Sequence, residues 1–466
     1  MLQAYWHYCT SPFITLAAPL YLTNETRLEL DFDLAALLNA PRPLSFARDG
    51  ASTHSRDGDP IAAALVANLP GAFQVRRVVA GGASILASWG DAGEDGSQGR
   101  SPHQPLDLPE KFTPYRFQMI ATFPIPDLPR DNPLIQERVA LGEKLFHETA
   151  LSKDNSISCA SCHDQQHAFA ESRRYSIGVE SRTGTRNAMP LFNLAWKSSF
   201  FWDGRAPSLR AQVLLPIQDH AEMDESLKNV VAKLTATGRA GSPLPAALSG
   251  TGDGAHGVTR PTSNNNYPAL FTAAFGSPEI TPEKMGLALE NYLLTLTSFD
   301  SKFDRVLRGE EKLSPDEQRG FELFMTEYDP RREQYGADCF HCHGGPLFQS
   351  QTFANNGSDG ALEDVGREQV TGRAADRGKF AVPSLRNIAL TAPYMHNGRF
   401  RTLEDVVEHY ATGVSRSPTL DPNLAKHPDG GVPLSAEDKR ALVAFLQTLT
   451  DPQFTGRPRP TAAGSN

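Results

Sequence analysis

Two stretches decide how this chain folds: Cys159-Ala160-Ser161-Cys162-His163 and Cys339-Phe340-His341-Cys342-His343. They hold four of the five cysteines, and the fifth is Cys9. In a Cys-x-x-Cys-His pentapeptide each thiol adds to one vinyl group of a haem, and the adjacent histidine is held under the iron as an axial ligand. The sequence therefore predicts two covalently bound c-type haems. Cys159, Cys162 and His163 hold the first, and Cys339, Cys342 and His343 hold the second. The competing readings are a zinc knuckle, a thioredoxin-like redox pair and a structural disulfide. A zinc site wants four ligands, and neither cluster has a second Cys or His pair at the usual spacing.

Composition bounds the rest. A chain of 466 residues with 39% hydrophobic side chains fits two to four packed domains. Its net charge of -9 comes with no basic block, which argues against nucleic acid and anionic membranes and leaves room for a small basic or neutral redox partner. No stretch approaches the roughly eighteen continuous apolar residues of a spanning helix, so no membrane span is expected. Phe13 to Leu22 is apolar, but no Lys or Arg precedes it and no clear cleavage site follows, so it does not read as a signal peptide. Haem attachment of this kind happens outside the cytoplasm, and the expected location is periplasmic.

The chain reads as a mainly α protein with two tandem cytochrome c-like haem domains, preceded by a small N-terminal segment with some β. Residues 1–90 carry no haem motif and show strand-like and short helical segments, such as Leu28 to Leu38 and Ile61 to Leu69. Residues 91–114 form a linker, with Gly, Asp, Ser and Pro dominating Gly90 to Pro105. The first haem domain spans 115–300, the second 301–455, and a tail follows at 456–466. Asn132 with Pro133 predicts a helix through Phe146. Ser314, Pro315 and Glu317 spell a capping box, and Ser435 precedes a helix through Leu449. Leu287 to Val306 reads as one amphipathic helix joining the haem domains, and Thr235 to Asn266 as a loop insertion. The motifs lie 180 residues apart (339 minus 159), with similar punctuation after each, as tandem domains require.

A haem that only shuttles electrons usually has both axial positions filled, so an open position implies chemistry. Here the residues carry a resemblance. From Phe123 to Phe454, about seventy per cent of its length, the chain resembles the bacterial di-haem cytochrome c peroxidases and their MauG and MbnH relatives. The matching motifs are Leu141-Gly142 to Phe146, the first haem motif, Phe201-Trp202-Asp203-Gly204-Arg205, Pro383-Ser384-Leu385-Arg386-Asn387, and Thr391 to Gly398.

The resemblance implies roles one position at a time. Where the peroxidases carry a distal histidine in Ser-Ile-Gly-His, this chain reads Ser176-Ile177-Gly178-Val179, and valine cannot ligate iron. The first haem is thus expected to be five-coordinate, with His163 proximal and the other face open to hydrogen peroxide. Glu222 falls at the family's catalytic acid, moving a proton between the two peroxide oxygens. Gln212 and Pro216 match other members of that pocket. Trp202 occupies the position between the haems, as an electron relay. Asn187, Thr391 and Pro393 match a calcium site built from side-chain and backbone oxygens. Read without the family, Glu222 is a surface carboxylate, Trp202 a core ring, and the three calcium positions are caps and turns.

The second haem separates the branches. In the peroxidases the helix after Thr-Leu-Glu supplies a methionine ligand. Here Thr402-Leu403-Glu404 leads to His409-Tyr410, with Tyr410 in that register. A tyrosinate is a hard anionic ligand suited to high oxidation states of iron, and this is the MauG-like substitution. His409 is the neighbouring competitor, and Met395 lies outside the register. MauG has a surface tryptophan two residues before the second haem cysteine, where this chain has Ala337. Leu30 to Leu38 and Asp59 to Val75 resemble the end of the partner protein that accompanies MbnH-type enzymes, although its typical cysteines are largely absent. On that reading the chain is a truncated substrate-like domain fused to its enzyme through an altered reading frame.

Three functions follow in order. The first is a MauG-like or MbnH-like oxidase that turns peroxide into a high-valent di-haem state and oxidises tryptophan on a partner protein. The second is a conventional cytochrome c peroxidase fed by a small redox protein. The third is a plain electron-transfer cytochrome, which Val179 and Glu222 oppose. The two motifs are expected to be unequal, with His163 on the open iron and His343 on the closed one.

Overall fold

The computed structural model describes residues 108–237, 265–360, 362–427 and 429–455, and the backbone of two strands at 27–32 and 73–79. The chain forms two compact units, Met1–Gln104 and Pro105–Asn466. In the first, β1 (Arg27–Phe32) pairs antiparallel with β2 (Phe73–Val79), the register slipping between Glu29 and Leu30. β1 covers the front of the Leu28 to Leu38 segment. Cys9, Ile61 to Leu69, most of the loop insertion and the tail lie outside the described residues.

Helices of the second unit include α1 (Gln136–Phe146), α2 (Leu227–Ala236), α3 (Tyr267–Phe275), α4 (Pro282–Leu294), α5 (Lys302–Leu307), α6 (Pro315–Met325), α7 (Phe340–His343), α8 (Leu403–Glu408) and α9 (Ala436–Gln447). Its strands, among the described residues, are two short antiparallel pairs: β3 (Tyr328–Asp329) with β4 (Gln334–Tyr335), and β5 (Phe353–Ala354) with β6 (Phe380–Ala381).

A repeated spelling explains the helix pairing. Gly142-Glu143-Lys144-Leu145-Phe146 ends α1, and Gly320-Phe321-Glu322-Leu323-Phe324 lies in α6. A Cβ on Gly142 would sit 2.1 Å from the Ala288 carbonyl oxygen of α4, and one on Gly320 would sit 1.9 Å from that of Ala441 in α9. Only glycine lets the helix backbones approach this closely. The Leu and Phe that follow bury into the two cores. In the second core, Phe303, Phe321, Phe324 and Phe445 meet with ring centroids 5.1 to 5.4 Å apart, edge-on or tilted as aromatic quadrupoles prefer. We expect Gly320→Ala to cost about 1–3 kcal/mol by forcing α6 off α9. A lower urea midpoint with unchanged slope would report it.

The capping box at Ser314 and Glu317 forms as read, and Ser435 caps α9 through the Asp438 amide. Two expectations change. Asn132 does not cap α1, which begins at Gln136. Its buried amide instead donates to the Leu287 carbonyl at 2.9 Å and to Glu290 at 2.8 Å, while Arg138 donates to its oxygen. Leu287 to Val306 is also not one helix. α4 stops at Leu294 and α5 starts after Ser301, because Asn193 reaches from another part of the chain to bond both the amide and the carbonyl of Ser298. That competition takes the backbone groups a continuous helix would need.

Residues near the end of the second half return to the first. Phe454 is fully buried between Phe169 and Phe192, with centroids at 6.0 and 5.8 Å. The Asp451 carboxylate accepts the amides of Phe299 and Asp300.

Candidate functional site

Cys159 opens a 3-10 turn in which the His163 amide bonds back to the Cys159 carbonyl, so the thiols and the imidazole share one turn of chain. The His163 ring places Nδ1 2.8 Å from the Phe169 carbonyl. A carbonyl only accepts, so Nδ1 carries the proton and Nε2 keeps its lone pair. Burial lowers the His163 pKa, which favours the neutral, ligating form. Burial likewise pushes Cys159 up to about 12 and Cys162 up to about 11, so both are thiols at neutral pH.

Beside them lies a cavity of about 1600 Å³, larger than the roughly 300–1,000 Å³ of ordinary small-molecule sites. A smaller hollow against it shares Cys162, His163, Gln212, Pro216 and Glu222 and adds Cys159. The donor set fits a haem: two unpaired thiols, an imidazole with Nε2 free, and basic side chains. Among these Lys197 has no carboxylate partner among the described residues, and burial drops its pKa to about 8. A haem propionate is the anion such a lysine needs.

Glu222, Gln212 and Pro216, far from His163 in sequence, all line this cavity. Burial first, and the neighbouring Asp219 second, raise the Glu222 carboxyl to about 7 against the opposing pull of Arg205. Such a group gives and takes a proton near neutral pH. Val179 is buried but is not among the lining residues. Its amide bonds the Glu222 carbonyl at 2.9 Å, and Gly178 leaves no room for a Cβ against that backbone. This segment therefore holds Glu222 in place as well as lacking a ligand.

Trp202 lines the same cavity, with Nε1 donating to the Asn187 carbonyl at 2.9 Å. Its loop is pinned from the second half. Arg367 donates to the carbonyls of Asp203 and Gly204, and Arg186 bridges Asp203 and Asp364. The Trp202 carbonyl accepts the Ala381 amide at 2.8 Å, and two residues on, the Pro383 carbonyl lies 3.1 Å from Nδ1 of His343. One hydrogen-bonded path of five residues thus joins the aromatic ring of the first site to the imidazole of the second.

At the second site α7 carries Cys342 and His343 directly after Cys339. Burial pushes His343 down to about 4, and Nδ1 lies against two carbonyls, which again leaves Nε2 as the ligating atom. Burial raises Cys339 to about 12 and Cys342 to about 11. Tyr410 sits in a π turn, His409–Gly413, that continues α8. Such turns carry one extra residue and recur at functional sites. The carbonyl of Tyr410 bonds the Val432 amide instead of continuing a helix. Its phenol is pushed up to about 12 by burial and by the nearby Cys342 and Cys339, with the Asn356 amide, 3.2 Å away, acting in the opposite direction.

The competitor His409 is committed elsewhere, its Nε2 3.0 Å from the Asn356 carbonyl. Met395 is closer to this site than its register implied. Its sulfur lies 3.1 Å from the same Asn356 amide that holds Tyr410. Asn356 was not singled out by sequence reading, since nothing local distinguishes it from a turn asparagine.

Of the calcium positions, Asn187 is buried with its amide nitrogen donating to the carbonyls of Arg173 and Arg174, and its backbone amide bonds the His396 carbonyl. That bond ties it to the segment holding Thr391 and Pro393, and Thr391 is itself buried.

Two covalent haem motifs, an acid-lined cavity and a linking tryptophan define a peroxidase-type oxidoreductase with two c-type haems. The chain belongs to the di-haem cytochrome c peroxidase family, whose model matches residues 136–312. It is 34% identical over 325 residues to methylamine utilization protein MauG of Methylorubrum extorquens, covering 69% of this chain and 80% of that one. It is 32% identical over 344 residues to cytochrome c551 peroxidase of Nitrosomonas europaea, covering 72% and 86%. The crystal structure of a MauG-like protein associated with microbial copper homeostasis matches with a TM-score of 0.61 and 31% identity, over 74% of this chain and 98% of that one. No helix among the described residues is long and apolar enough to cross a membrane.

Proposed function

We propose that this chain draws two oxidising equivalents from hydrogen peroxide, stores them across its haem pair and delivers them to a tryptophan on a partner protein, in the manner of the MauG and MbnH enzymes. The observation that carries this reading is Tyr410, whose phenol lies within electrostatic reach of both second-site thiols. A bound haem supplies the redox chemistry. The protein's own residues hold it through Cys159, Cys162, Cys339 and Cys342, set Nε2 of His163 and His343, and move a proton at the Glu222 carboxyl.

In this reading residues 115–300 are the peroxidatic domain and 301–455 the electron-transfer domain. The N-terminal segment is partner-like, a calcium ion bound by Asn187, Thr391 and Pro393 stiffens the loops around Trp202, and the enzyme works in the periplasm. Met395 favours a second reading, a conventional peroxidase fed by a small cytochrome, because a thioether is the ligand that type uses and its sulfur shares Asn356 with Tyr410.

Stoichiometric peroxide added to the holoenzyme separates the two. We expect both ferric electron paramagnetic resonance signals to disappear together. We expect Tyr410→Phe to abolish that joint loss with haem content unchanged, and Met395→Leu to preserve it. Survival of the joint loss in Tyr410→Phe would overturn the ligand assignment, and its abolition by Met395→Leu would favour the conventional peroxidase.

A further inference from the structure

The side chain of Ala337 is buried, so a ring at that position would not open onto solvent in this fold. Two residues earlier, Tyr335 is 58% exposed at the end of β4, the one tyrosine among the exposed large hydrophobic side chains of the described residues. It is the cross-strand partner of Tyr328 in β3, with ring centroids 6.1 Å apart. The ring of Tyr328 lies 5.4 Å from that of His427. His427 is buried, and its Nε2 is 3.0 Å from Oδ2 of Asp338, the residue before Cys339. A second link is direct, since the Tyr328 amide donates to Oδ1 of Asp338 at 2.9 Å.

The hairpin is fixed in place. The Ala337 amide bonds the Leu323 carbonyl of α6, the Asp338 amide bonds that of Thr326, and a Cβ on Gly336 would collide with the Thr326 carbonyl at 1.8 Å. The two tyrosine rings therefore keep their spacing to each other and to the attachment cysteine.

We propose that Tyr335 and Tyr328 are the electron-entry route of the second haem, carrying electrons from the indole of a partner protein's tryptophan at the surface to the oxidised haem pair through successive aromatic rings. The proposal rests on the peroxide-dependent reading above, which supplies the oxidant. Hydrogen peroxide takes up two electrons and two protons to give two waters, and the electrons enter one at a time. When Tyr335 gives an electron inward through Tyr328, its phenolic proton passes to water. The resulting radical then takes one electron from the partner's indole and one proton from water, which restores the phenol, while the oxidised indole gives its N–H proton to water. Tyr328 is half-buried, so it too exchanges its proton with solvent. Its hydroxyl makes no hydrogen bond among the described residues, so Tyr328→Phe removes the oxidisable group and leaves the packing.

The test uses holoenzyme with stoichiometric hydrogen peroxide, a nitroso spin trap and no donor, followed by peptide mass spectrometry. Haem absorbance is recorded in the same samples. We expect a trap adduct on Tyr335 in the parent protein and at least a tenfold loss of that adduct in Tyr328→Phe. If the haem absorbance responds to peroxide but Tyr335 carries no adduct, or carries as much in Tyr328→Phe, the route is overturned and the proposed function stands. If the haems do not respond at all, both fall together.

Discussion

Glu222→Gln is expected to slow the reaction with hydrogen peroxide by about 10²–10⁴-fold at neutral pH, the usual worth of a positioned acid-base group. Glutamine keeps the size and most hydrogen-bonding capacity of the side chain but cannot carry a proton between oxygens. On the proposed function the reaction begins with removal of a peroxide proton, so the free enzyme would need Glu222 ionised. With its carboxyl raised to about 7, the second-order rate should fall as the pH drops through that value and level off above it. Stopped-flow absorbance across pH 5 to 9 measures both effects. The variant should lose the inflection as well as the rate, with its haem content equal to that of the parent. A variant of undiminished rate would remove Glu222 from the chemistry.

Arg386→Met is expected to destabilise the fold by about 3–5 kcal/mol, because it leaves the Asp304 carboxylate buried without its partner. Arg386 and Asp304 are both almost wholly buried and meet through two bonds of 2.7 and 2.8 Å. Arg386 also donates to the Pro346 carbonyl, three residues past His343, so it fixes the loop beneath the second site. Burial alone would raise the Asp304 carboxyl, and Arg386 with Ser301 reverses this and holds it below the usual carboxylate range. In the parent, that depressed group contributes stability that is present above its unfolded pKa of about 3.9 and is lost as pH falls through the lower folded value. In the variant the sign inverts. The carboxyl is raised by burial, and its penalty is relieved on acidification. Urea midpoints should therefore differ more at pH 7 than at pH 4. Adding Asp304→Asn should recover a large part of the loss, since the lone charge and not the missing pair is what costs stability.

The two c-type haems were legible because covalent attachment demands a local spelling, and five adjacent residues suffice to state it. The glycine crossings were partly legible, since Leu141-Gly142 stood out as a motif while its counterpart at Gly320 did not. Asn132 misled because an asparagine before proline looks like a helix cap whether or not its amide is needed 155 residues away at Leu287. The break between α4 and α5 was invisible for the same reason, since the amphipathic period continues through it and the competitor, Asn193, lies more than a hundred residues upstream. At the second site the order His409-Tyr410 could not say which ring turns toward the thiols. A π turn and the Asn356 carbonyl make that choice, and neither has a local signature.

The burial of Phe454 makes the first centre depend on a ring carried by the second half of the chain. Its ring packs on Phe169, whose carbonyl in turn holds the imidazole of His163. The support behind the His163 imidazole is thus supplied by a residue almost three hundred positions further along the chain. A chain ending at Pro452 would carry every cysteine, histidine and tyrosine of both centres, yet its damage would fall on the centre almost three hundred residues away and spare the nearer one. The rigidity of the His163 imidazole therefore waits on the second half as far as Phe454, and a chain stopped short of that ring would betray itself there.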